Sequence, residues 1–207
     1  MQNEGQIVPT DLSKDIYERL WKVVIKNLSP TSNENFKLSC LKTLRILSRD
    51  KALYNGVIDG EHVKLVVRLA GLVSKEEAIE HLNKQVNYEV VMEAQKCLSN
   101  MIYNSSAVQR LCCGNSCIPG LMCRLRTFRD PDLPNKVKCF DMRILFLITA
   151  FCQDVRPSLR SEYHCLNYLI EILDEALKTQ QERAQALSLR HRVHETLYFN
   201  VSLQTGD

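Results

Sequence analysis

The sequence predicts an all-α protein: an armadillo/HEAT-like, right-handed helical solenoid of about four partial repeats, filling residues 1–207 as one repeat domain. Three observations predict it. Apolar residues recur at helical spacing from one end of the chain to the other, and no stretch alternates with a period of two. Long apolar helices with comparable endings recur in steps of roughly fifty residues: TLRILSRD at 43–50, CLSNMIYNS at 97–105, ILFLITAFC at 144–152 and TLYFNVSL at 196–203. The usual unit of such arrays is about 40–47 residues. Finally, Ile144–Cys152 carries no charge, with Thr149 its only polar side chain. A helix apolar on nearly every side must be enclosed by protein or lipid. Its nine uncharged residues fall well short of the ~20 a membrane helix needs, and Asp141, Arg143, Asp154 and Arg156 close both ends. Cys139–Arg156 is therefore expected to be a central helix clasped by its neighbours.

The elements follow in order. After a loop at Ile7–Thr10, Ser13 caps a helix to about Leu28, with Ile16, Leu20, Trp21, Val24, Ile25 and Leu28 as its core stripe. Pro30 ends it, since proline lacks the amide hydrogen and disfavours a helical residue before it. Thr31 or Ser32 opens a second helix to about Arg49, with Phe36, Cys40, Leu41, Leu44 and Leu47 inward. Gly60 precedes a third, His62–Val73, burying Val63, Val66, Leu69, Ala70 and Val73. Ser74-x-x-Glu77 has the capping-box pattern and starts a short polar helix. Asn87–Asn104 is the next long helix, with Val91, Ala94, Cys97, Leu98, Met101 and Ile102 on its core face. Gly114 and Asn115 break a short helix at Ala107–Cys113, and Pro119-Gly120 kinks or restarts the following one. A loop at Asp130–Asn135 leads into the central helix, and Pro157 interrupts after it. Tyr163–Thr179 and Gln181–Ser202 are the last two helices.

Composition excludes several functions. A hydrophobic content of 45% with 25% charged residues is ordinary for a globular protein. A net charge of +3 does not indicate a nucleic-acid partner, and Arg124, Arg126 and Arg129 are expected on a solvated face. The N-terminus has no apolar h-region and no segment can span a bilayer, so the nine cysteines are expected as reduced thiols in the cytoplasm. No phosphate loop, H-E-x-x-H, G-x-S-x-G or dinucleotide fingerprint is present, so neither an enzyme active site nor a cofactor is expected. His191 and His194 share a helix face, but Arg190 and Arg192 beside them repel a cation. Cys112, Cys113, Cys117 and Cys123 cluster, yet zinc favours two well-separated pairs, and core thiols are the better reading. No metal is expected.

Arg45 and Arg49, at i and i+4, point the same way from one helix. In an ordinary domain they form a solvated face. On the inner helix of a solenoid they line the groove, where guanidinium groups grip a carboxylate with bidentate geometry. Lys42 shares that face. Asn100 is either an exposed polar residue or an amide that holds a bound peptide backbone. Lys96 and Tyr103 fall on the same side of its helix, and Asn200 takes a similar place in the last one.

At these residues the chain resembles the synembryn family, also called resistance to inhibitors of cholinesterase. The resemblance rests on LKTLRILSRD at 41–50, EAQKCLSNMI at 93–102 and FDMRILFLITAFCQDVRPSL at 140–159, with LYFNV at 197–201 as a weaker fourth block. It implies a cytosolic armadillo/HEAT-like solenoid that binds monomeric Gα subunits, chaperones nascent Gα and acts as a non-receptor guanine nucleotide exchange factor. The Gα C-terminal helix is then expected in the concave groove, which draws it from the nucleotide domain and loosens GDP. Recruitment to the plasma membrane and cell cortex through Gα goes with this. The family's basic pair maps to Arg45 and Arg49, and its groove asparagine to Asn100; Lys96 and Tyr103 lie one turn either side. A peptide C-terminus offers a carboxylate and unpaired last-turn carbonyls, which two arginines and an amide complement. Full-length members are longer, so the chain is expected to be part of a longer solenoid, with the tail groove present and exchange activity incomplete. The competing reading is a general armadillo-type peptide scaffold.

Overall fold

Among the described residues every regular element is helical and no strand occurs; the computed structural model describes residues 14–28, 32–51, 58–73, 86–178 and 189–196. The helices are α1 (Lys14–Lys26), α2 (Glu34–Leu47), α3 (Gly60–Leu69), α4 (Tyr88–Asn104), α5 (Ser106–Gly114), α6 (Cys117–Arg126), α7 (Asn135–Phe151), α8 (Arg156–Ser161) and α9 (Cys165–Lys178). A 3-10 turn, Gln153–Val155, joins α7 to α8, and residues 189–196 are helical. No described helix is long and apolar enough to cross a membrane. The predicted loop at Ile7–Thr10, the Ser13 cap, Pro30, the Ser74-x-x-Glu77 helix start and Asn200 lie outside the described residues.

Local chemistry sets the ends. Asn33 caps α2, its side chain accepting from the Asn35 amide at 2.9 Å, so the cap falls one residue beyond Ser32 and two beyond Thr31. Asp59 and His62 form a capping box that starts α3 at Gly60 rather than His62. That helix stops at Leu69, where Gly71 turns the chain with a φ of +69°. Ser105 ends α4 and caps α5 through Oγ, accepting from the Val108 amide at 3.3 Å, so one residue joins two helices. Pro119 sits in the first turn of α6, which favours the restart over the kink. Helix α7 ends at Phe151 with Cys152 as its C-cap, and Pro157 sits in the first turn of α8 rather than interrupting what precedes it. Arg156, buried at the start of α8, donates from Nε to the Thr149 carbonyl at 2.7 Å and caps the last turn of α7.

The buried stripes match the sequence at Trp21, Val24, Leu28, Cys40, Leu41, Leu44, Leu47, Val63, Val66, Ala70, Val91, Ala94, Cys97, Leu98, Met101 and Ile102. Ile25, Leu69 and Val73, also expected inward, are half-buried, and three further positions differ outright. Ile16, Leu20 and Phe36 are exposed, the first two because the stripe of α1 is rotated onto Tyr17, Trp21, Val24 and Leu28. In α2, Lys37 is buried in place of Phe36, its ammonium on Glu34 at 2.8 Å.

The most enclosed element is α4, which packs against α2, α3, α5 and α7; α7 packs against α4, α5 and α6. Glu93, Gln95 and Ser99 interrupt the apolar run of α4 in the sequence but are buried in hydrogen bonds, so the length of an uncharged run understated its burial. Side-chain pairs show α2, α4 and α7 side by side in one direction. Cys97 Sγ donates to the Leu41 carbonyl at 3.2 Å, and Asn104 Nδ2 to Ser48 at 3.0 Å. Gln95 Nε2 donates to the Val137 carbonyl at 3.2 Å, and eight residues on Tyr103 meets Phe151 at 6.0 Å.

Candidate functional site

Where α2, α4 and α7 line up, they enclose a cleft of about 120 Å³ lined by Arg45, Arg49, Lys96, Ser99, Asn100, Phe140 and Arg143. Helix α2 ends at Leu47 rather than at the expected Arg49, so Arg45 stands in its last turn and Arg49 in the turn just beyond it, and both line the cleft. Four of the five residues singled out from sequence, Arg45, Arg49, Lys96 and Asn100, therefore meet across two helices. Tyr103 lies outside the lining. It is 58% exposed and stands edge-on to Phe151, with Lys51 Nζ at 6.0 Å from its ring. Lys42 is exposed and also outside the lining.

The cations are held by a residue that sequence reasoning did not select. Glu93, with its side chain 10% exposed, accepts from Arg45 Nε at 2.9 Å through one oxygen and from Lys96 Nζ through the other. Lys96 Nζ also lies 5.8 Å from the Phe140 ring centre, a cation–π contact from α4 to α7. Arg143, missed as a site residue, is the cleft's contribution from α7. Burial and the neighbouring Arg192 lower its pKa, while Glu195 opposes them. Four cationic groups thus meet one carboxylate in a confined volume, a field that selects an anion. The repeat carried a signal for the missed pair: setting Cys97 against Ile144 in the recurring motif places Arg143 level with Lys96 and Phe140 level with Glu93.

Asn100 departs from expectation. Its Nδ2 donates to the Arg45 carbonyl and to Ser48 Oγ, both at 3.2 Å, and so caps the end of α2. Asn104 extends this cap to the Ser48 and Arg49 carbonyls at 3.0 and 3.4 Å. The amide is not free to both donate to and accept from a ligand. Its Oδ1 remains as the acceptor, and its donor fixes the backbone from which Arg45 projects.

The cysteines lie elsewhere. Cys112 and Cys117 are buried, Cys113 and Cys123 half-buried, all as free thiols. A hydrogen bond to Cys112 and burial raise the pKa of Cys117, and burial with Cys152 nearby raises that of Cys113. Among the described residues no three or more His, Cys, Asp or Glu side chains are grouped to hold a metal. His191 lies 3.8 Å from Glu195.

Fold and cleft define an all-helical protein with a cationic cleft where parallel helices line up. The family model described as guanine nucleotide exchange factor synembryn matches residues 40–205, and the chain belongs to that family. It is 34% identical to the chaperone Ric-8B of Mus musculus over 166 residues, which is 80% of this chain and 31% of that protein. It is 36% identical to the chaperone Ric-8A of Danio rerio over 157 residues, 76% of this chain and 28% of that one. The chain thus spans about a third of the length of these relatives. Its structure is also similar to the crystal structure of an engineered protein, with a TM-score of 0.63 and 13% identity over 90% of this chain and 38% of that one. At that identity the likeness concerns the fold alone.

Proposed function

We propose that the chain binds monomeric Gα subunits by taking the end of their C-terminal helix into the cleft of Arg45, Arg49, Lys96 and Asn100. On this reading it is the tail-binding part of an armadillo/HEAT-like, right-handed solenoid that serves as a chaperone and non-receptor guanine nucleotide exchange factor in G protein-coupled signalling in the cytoplasm. It acts by binding, without covalent catalysis. The supporting observation is that Arg45 and Arg49, paired by their spacing, line one cationic cleft with Asn100 and Lys96, picked out by the recurring motif and the family resemblance. A helix C-terminus brings a carboxylate and the negative end of a helix dipole, which this cleft complements. Preference for nucleotide-free Gα then drives exchange by shifting the population of Gα states.

The test is titration of labelled peptides from Gα C-termini against the full chain. Selective binding of the native tail over its scrambled form is the expected result; equal binding would leave a general peptide scaffold in its place. Replacing Arg45 and Arg49 together with alanine is expected to weaken tail binding by about 2–5 kcal/mol, the usual cost of removing the partners of a bound carboxylate. Unchanged affinity would remove the cleft from the reading.

A further inference from the structure

Glu93 is out of place on electrostatic grounds alone. A carboxylate beside an anion-binding cleft weakens the field the ligand feels. Yet this one is almost fully enclosed and bonds to two of the cleft's cations at once. It takes Arg45 through Nε, so the opposite edge of the guanidinium, formed by Nη1 and Nη2, is left for a second carboxylate. Among the described residues that edge makes no hydrogen bond. Lys96, three residues after Glu93 on α4, is drawn back toward the same carboxylate and held over Phe140. Without such a tether, two long cationic side chains would each lose rotamer freedom on binding a ligand.

We propose that Glu93 is the positioning residue of the cleft: by gripping Arg45 through Nε and Lys96 through Nζ, it aims both groups at a terminal carboxylate. This rests on the reading that the cleft receives a peptide C-terminus. It makes the preference for a free carboxylate over an amide the property that Glu93 controls.

The two roles open to Glu93 predict opposite signs. If it only neutralises buried cations, Glu93→Gln leaves the cleft more positive and strengthens binding of an anionic tail. If it positions them, binding weakens despite the added positive charge. Glu93→Asp separates the terms further, since it keeps the charge but is one methylene too short to reach both cations. The experiment titrates a peptide of a Gα C-terminal helix, as the free acid and as the C-terminal amide, against the full-chain wild type and both variants. The ¹⁵N resonance of Arg45 Nε–H, assigned by its loss in Arg45→Lys, reports the tether without any ligand. The wild type is expected to prefer the free acid and to show a protected Nε–H. Both variants are expected to lose that protection and about tenfold in free-acid affinity, with little change for the amide. Free-acid binding by Glu93→Gln that is equal or tighter, or a preference that survives Glu93→Asp, would overturn the role while leaving the tail reading intact. A wild type that binds neither peptide would overturn both.

Discussion

Asn100 shows how one side chain serves fold and site together. Its Nδ2 closes the end of α2 by bonding the Arg45 carbonyl and Ser48 Oγ, both at 3.2 Å. Orphan carbonyls at a helix C-terminus need such donors. Asn100→Ala is therefore expected to lower stability by about 1–2 kcal/mol, measured by urea denaturation, because two acceptors lose their partner. A denaturation midpoint equal to that of the wild type would show that α2 does not depend on this cap. The residue was legible as special in the sequence, since a mid-helix asparagine in a recurring motif is unfavourable for propensity alone. Its commitment to α2 was not legible, because the partners lie 55 and 52 residues away. Glu93 was hidden for the same reason. Its role is decided by Arg45, 48 residues distant, whereas Arg45 and Arg49 could be paired by spacing on one helix.

At the scale of elements, helix existence and order were readable from apolar periodicity, but which helix holds the centre was not. The uncharged run in α7 pointed there, while α4 is the helix with neighbours on four sides. Polar residues in α4 find partners across helices, which periodicity cannot register. The contact between α6 and the end of α3 is a second such case. Gly120 brings its helix so near that a Cβ would stand 2.4 Å from the Leu72 carbonyl carbon. One turn on, Arg124 donates from Nη2 to the Ala70 and Gly71 carbonyls at 3.0 and 2.7 Å. Pro119-Gly120 in the sequence marked only a break. Because backbone rather than a mobile side chain opposes the new methyl, Gly120→Ala is expected to destabilise the chain by about 1–3 kcal/mol. Gly114→Ala, where the added Cβ meets nothing within 4 Å, is the control and is expected to leave stability equal or higher. Urea denaturation of the two variants side by side checks this, and equal midpoints would refute the close approach.

Across the whole molecule, one buried polar chain ties the layers together. Asp141 on α7 accepts from Gln95 Nε2 of α4 at 2.7 Å and lies 3.9 Å from Arg124 Nε of α6, which in turn holds the end of α3. In the sequence Asp141 only closed the apolar run. A charge at the edge of a run can still face inward, and this one is fully buried. Among the described residues, Asp141 Oδ2 and Gln95 Oε1 have no hydrogen-bond partner, so a proton on the carboxyl would be well received. Burial pushes the Asp141 pKa up from 3.8 to about 7, against the opposing pull of Arg124 and Gln95. Between those two values the folded chain keeps a proton that the unfolded chain has released. Stability from this group is therefore full below pH 3.8 and is lost as the pH climbs through about 7. Asp141→Asn keeps an acceptor for Gln95 and abolishes the titration. Urea unfolding of both proteins at about pH 5 and about pH 8 is expected to show the wild type losing stability relative to Asp141→Asn as the pH rises. A difference between the two that stays constant across that range would mean that Asp141 is ionised throughout, held by Arg124 more firmly than a separation of 3.9 Å suggests.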